Sequence, residues 1–87
     1  MRVIWKYPAP NPGARTIHSI PEGSTVLTVR EENLRPYIWV EVPDSQAPRV
    51  RRVFASLASG QPLPDGSVHV GFVELRARPR ATYLIVE

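Results

Sequence analysis

Cysteine is absent from this chain of 87 residues, lysine occurs once and histidine twice. Without cysteine there can be no disulfide, no thiolate zinc site, no iron–sulfur cluster and no thiol nucleophile. No run of about 18 apolar residues occurs, so no helix of membrane-spanning length is predicted. The start, Met1-Arg2-Val3-Ile4-Trp5-Lys6, has no apolar stretch of secretory length, and a cytoplasmic protein is expected. No glycine-rich phosphate loop is present, and none of Ser19, Ser24, Ser56, Ser59 and Ser67 sits in a G-x-S-x-G elbow. His18 and His69 fall on separate predicted strands, and a metal site would need both to converge with an acid such as Glu74. Glu31 and Glu32 are adjacent, so in a strand their carboxylates point to opposite faces. The chain therefore reads as a non-enzyme, with no metal and no cofactor expected.

What is present is punctuation. Ten prolines and five glycines cut the sequence into short apolar segments, the pattern of an all-β domain. Strands are predicted over Arg2–Tyr7, Arg15–Ile20, Ser24–Glu31, Tyr37–Val42, Val68–Leu75 and Thr82–Val86. Pro21-Glu22-Gly23 reads as a turn with proline in its second position, and Asn33-Leu34 as a hairpin tip. In the fourth strand Ile38, Val40 and Val42 share a face, with Tyr37, Trp39 and Glu41 opposite. Residues 49–59 are ambiguous. Val50, Val53, Phe54, Leu57 and Ala58 recur at helical spacing before Gly60, yet a strand from about Arg51 to Leu57 fits the same residues.

The opening Ile4-Trp5-Lys6-Tyr7-Pro8, then Ile20-Pro21-Glu22-Gly23-Ser24 leading into Leu27-Thr28-Val29, resembles a family of small bacteriophage and prophage proteins with no assigned function. Ile38-Trp39, Gly60-Gln61-Pro62-Leu63-Pro64, Val70-Gly71-Phe72 and the closing Tyr83-Leu84-Ile85-Val86-Glu87 extend the likeness over nearly the whole chain. The resemblance implies a phage-encoded protein of the host cytoplasm and a strand, not a helix, before the glycine-proline loop. Where relatives often carry histidine before the loop proline, this chain has Gln61, so no acid–base role is expected there. The predicted fold is then a single all-β domain over residues 1–87, a small barrel or two-layer sandwich of about seven strands.

A domain of this length buries only about 60–65% of the surface its unfolded chain exposes. Lacking disulfide and metal, it is expected to gain stability by association, as a homo-oligomer. Net charge is +3 with a pI near 10.0, and the excess lies in residues 45–87, where six arginines meet three acids. Arg76, Arg78 and Arg80 alternate, so an extended segment would put them on one side, with Arg51 and marginal Arg49 as candidate neighbours. Such a patch suits phosphate groups or an acidic protein face; the alternative is a solvated loop that guards a hairpin. Trp5 and Tyr7 share one face of the first strand, and Tyr37 and Trp39 one face of the fourth. Of these aromatics, Tyr37 is the candidate binding residue. The leading expectation is a non-enzymatic phage accessory protein that binds a host protein or an anionic ligand such as a nucleotide. A nucleic-acid-binding domain and a minor structural component of the virion are the alternatives.

Overall fold

In the computed structural model, residues 2–75 and 81–87 are described. Seven strands follow one another without a helix among these residues: β1 (Val3–Pro8), β2 (Arg15–Pro21), β3 (Thr25–Glu32), β4 (Arg35–Val42), β5 (Arg49–Leu57), β6 (His69–Leu75) and β7 (Ala81–Val86). They form two antiparallel sheets, one ordered β1-β4-β3 and the other β2-β5-β7-β6. The sheets are not closed into a barrel. The architecture is a two-layer sandwich, flat enough that its Cα atoms extend 40 × 31 × 15 Å.

Period-two burial builds the core. Ile38, Val40 and Val42 of β4 are fully buried, and Ile20, Phe54 and Ile85 meet them from the other sheet. Trp5 and Tyr7 pack against this core from β1, while Tyr37 and Trp39 lie on the opposite face of their sheet from Ile38 and Val40. The Tyr7 hydroxyl is buried among the apolar side chains with no hydrogen-bond partner among the described residues.

β3 would turn one of its two core valines outward if its period were unbroken. A bulge between Val26 and Thr28 resolves this: Val26 pairs with Val40 and Val29 with Ile38, so both face inward, and Leu27 is extruded to solvent. The turn after β2 differs from the sequence-based expectation by one position. Pro21 is its first residue and not its second, since Ser24 N donates to Pro21 O at 3.2 Å and Gly23 takes φ +84°.

Residues 49–57 form a strand, as the resemblance implied. Phe54 and Ser56 point inward and are buried, whereas Val53 on the opposite face is exposed. At the margins the two sheets approach each other. The His18 Nε2 lies 2.7 Å from Pro8 O and its ring 5.1 Å from that of Tyr7, which joins the β1 and β2 edges. On the other margin β6 comes so close to β3 that a Cβ on Gly71 would stand 3.0 Å from Val29 Cγ1.

Candidate functional site

One charged group crosses the sandwich. Arg52 occupies an inward position of β5 beside Phe54, where a lone cation would be costly. Its guanidinium forks onto the Glu87 carboxylate, with Nη2 donating to Oε1 at 2.6 Å and Nε donating to Oε2. Its Nη1 also donates to Ser24 O at 2.8 Å, at the entry to β3. This bidentate bond raises the Arg52 pKa above the ordinary arginine value, against the lowering effect of its partial burial. Arg52 thereby ties β5, the residue after β7 and the other sheet at a single point. It is a structural clamp.

The outer face of the three-stranded sheet is finished with its own polar contacts. Arg2 pairs with Glu41 at 3.2 Å, and Lys6 pairs with Glu32 at 2.9 Å. The Lys6 ammonium also lies 4.8 Å from the Tyr37 ring centroid and 6.0 Å from that of Trp39. The aromatic pair is therefore capped by a cation from this chain and held in register by cross-strand pairing of Lys6 with Trp39.

The outer face of the four-stranded sheet is built differently. Ile17 of β2 pairs with Val53 of β5, Leu57 of β5 with Leu84 of β7, and Leu84 with Phe72 of β6. Because paired residues share a face, these side chains form an apolar stripe across all four strands. Ile17, Val53 and Phe72 are exposed, Phe72 to 64%. The loop after β5 folds over the middle of the stripe and buries Ala55 and Val86 on this outward side. Val68 N and O bond reciprocally to Glu87 O and N, which anchors the end of that loop. Beside the loop lies an apolar hollow of about 450 Å³, floored by Leu57 and Leu84 and walled by Leu63 and Phe72. Arg15 and Arg51 occupy outward positions of this same face, both exposed, with no ion pair among the described residues.

The residues singled out in the sequence are thus dispersed. Arg49 lays its guanidinium 5.4 Å from the Trp5 ring centroid and donates to Ser19 O at 3.2 Å, so it is engaged at the β1–β2 margin. Arg51 stands on the outer face of the four-stranded sheet, and Tyr37 on that of the three-stranded sheet. Arg76, Arg78 and Arg80 lie outside the described residues. From the Leu57–Leu84 pair, Arg51 is six residues away in one direction and Ala81 three in the other, about 30 Å of strand at ~3.3 Å per residue. Arg51 is therefore not beside the residue that follows that arginine segment. His18 faces Phe54 in the interior and His69 lies against Phe72 outside, so the two imidazoles do not meet.

Sequence reasoning missed two groups. Arg52 was legible as a cation in period with Phe54. The apolar outer stripe was legible as hydrophobic residues on both faces of β5. Gln61 has a local role: its side-chain Oε1 accepts from Ala58 N at 2.6 Å and clips the turn after β5. Among the described residues no three His, Asp or Glu side chains are grouped to hold a metal ion, and no helix is long and apolar enough to cross a membrane.

Neither curated proteins nor solved structures yield a match to this chain. A family model does match, over residues 1–87, and the chain accordingly belongs to the family described as a domain of unknown function, DUF7352.

Proposed function

We propose that this chain is a phage-encoded accessory protein of the host cytoplasm that acts by binding another protein and catalyses no reaction. The observation that carries this reading is the set of apolar side chains left exposed on the outer face of the four-stranded sheet. On the three-stranded sheet Arg2 and Lys6 are answered by Glu41 and Glu32, and Lys6 caps Tyr37 and Trp39, while Arg30 and Arg35 stand exposed. On the four-stranded sheet Ile17 and Val53 to one side of the covering loop and Phe72 to the other are left to solvent, with Arg15 and Arg51 unpaired. An apolar centre with arginine and aromatic residues at its margin is the composition of a protein interface.

An anionic small ligand is less well supported by the described residues, because Arg49 is engaged with Trp5 and Ser19. The test is capture from a lysate of the host with three forms of the protein: wild type, Phe72→Asp on the apolar stripe, and Ile4→Asp on the opposite outer face. The expected result is a specific protein retained by wild type and Ile4→Asp and lost by Phe72→Asp. Retention indifferent to Phe72→Asp, or turnover in a substrate panel, would refute the reading.

A further inference from the structure

We infer that the open edge of β5, residues 49–53, takes an extended segment of another protein as an added antiparallel strand, with an acidic residue opposite Arg51. This rests on the reading that the chain acts by binding a protein, and it names how that protein is held.

The first argument is the backbone. Strand β5 lies between β2 and β7, but its two neighbours do not cover it equally. It pairs with β2 from Arg49 to Ala55 and with β7 only from Ala55 to Leu57. Successive residues of a strand turn their N–H and C=O groups to alternate sides. The even-numbered residues turn to β2: Ser56 N donates to Ala14 O at 3.0 Å, Ser56 O accepts from Gly13 N at 3.1 Å, and Pro48 O accepts from Glu22 N at 2.8 Å. The odd-numbered residues therefore face the other way. Ala55 and Leu57 meet β7 there, whereas the N–H and C=O of Arg49, Arg51 and Val53 have no partner among the described residues. These donors and acceptors recur over about 16 Å of strand at ~3.3 Å per residue, a spacing that an extended chain matches.

The second argument is burial. Val50 lies on the inward side in period with Phe54, and its cross-strand partner Ile20 is fully buried, yet Val50 is 40% exposed. The opening is thus on the side of β5 away from β2, where one more strand would close it. The loop after β5 buries Ala55 but leaves Val53 exposed. A hollow of about 300 Å³ bounded by Val53, Asp65, Ser67 and Glu87 gives the added strand room to begin where β7 ends.

The third argument is charge. Arg51 points outward with no ion pair among the described residues. If this segment paired with itself in a second copy, Arg51 would face Arg51, and like charges directly opposite are destabilising. A carboxylate opposite Arg51 is favoured, with apolar side chains opposite Val53 and Val50. In its own sequence order the occupant therefore reads apolar, any residue, acidic, apolar.

Amide hydrogen exchange of the full chain, alone and with peptides selected on it from a random dodecapeptide library, tests the inference. In the protein alone the Arg51 and Val53 amides are expected to exchange fast and that of Phe54 slowly. Selected peptides are expected to carry the stated order of residues and to slow both Arg51 and Val53. Arg51→Pro, at an edge position that tolerates proline, removes one ladder donor and is expected to weaken them roughly tenfold. Arg51→Glu keeps the backbone, carries the test should the proline variant not fold, and is expected to weaken them about fivefold. Arg51 and Val53 amides as slow as that of Phe54 in the protein alone would overturn the inference, at single or doubled mass alike. So would a selection that yields no peptide, or peptides indifferent to both variants. The binding-face reading is judged apart from this, by the lysate capture. Retention lost with Phe72→Asp but kept with Arg51→Glu sustains that face and ends the edge inference; the opposite outcome sustains the edge and ends the face.

Discussion

At the scale of single residues the hairpin tip is the least comfortable point of the chain. Asn33 and Leu34 both take left-handed backbone, with φ +52° and +66°. That is the conformation a two-residue hairpin demands. Asparagine tolerates it, but leucine pays about 1 kcal/mol for the clash of its Cβ with the carbonyl. Leu34 recovers little by burial, since it is 64% exposed. Leu34→Gly is therefore expected to raise stability by up to about 0.5 kcal/mol, after allowing for the greater freedom of glycine in the unfolded chain. Urea denaturation with an unchanged slope checks this; a lower midpoint would show that the leucine side chain packs more than its exposure indicates. Arg52 is the converse case. Its side chain and that of Glu87 remain 21% and 23% exposed, so Arg52→Ala is expected to cost about 2 kcal/mol, below the 3–5 of a fully buried pair. Because folding raises the Arg52 pKa, its contribution is complete below the ordinary arginine value and fades only as pH climbs past the folded one. The difference between wild type and Arg52→Ala measured by denaturation should accordingly be the same at neutral and mildly alkaline pH.

At the scale of elements, β5 explains why part of the sequence was readable and part was not. Proline and glycine punctuation placed six of the seven strands to within two residues, because a strand cannot run through those residues undisturbed, while β5 was read as a strand from the resemblance. The face assignment of β4 was equally plain, since its burial alternates without a break from Ile38 to Val42. β5 carries Val53 and Leu57 on the outside and Phe54 on the inside, and three apolar residues on two faces imitate the spacing of a helix. The residues that blur the period are those of the candidate interface, so the local pattern was ambiguous for a functional reason. The approach of β6 to β3 was not legible at all. It depends on Gly71 having no Cβ, and a sequence does not say which backbone lies opposite a glycine. Gly71→Ala should cost about 1 kcal/mol, because the new methyl group must displace Val29 Cγ1. Combined with Val29→Ala the two costs should fall short of their sum, as expected for substituents sharing one space. Strict additivity in thermal or urea unfolding would show that β6 stands farther from β3.

At the scale of the whole molecule the question is how 87 residues without a covalent staple hold a sandwich together. The core is thin, between two sheets in a body whose Cα atoms span 15 Å in its shortest direction. If the homo-oligomer expected from the sequence is a dimer, folding and association become one equilibrium, and apparent stability must depend on protein concentration. For a dimer of chains this size the thermal midpoint should rise by roughly 3–5 °C for each tenfold increase in concentration, half of the association term falling to each chain. Phe72→Asp should flatten that dependence while leaving the far-UV spectrum of the folded state intact, because Phe72 is outside the core. Its midpoint would then sit at the value wild type approaches on dilution. Ile4→Asp, on the outer face of the three-stranded sheet, should retain the full slope. A wild-type midpoint that does not move with concentration would mean that the single slab is stable by itself.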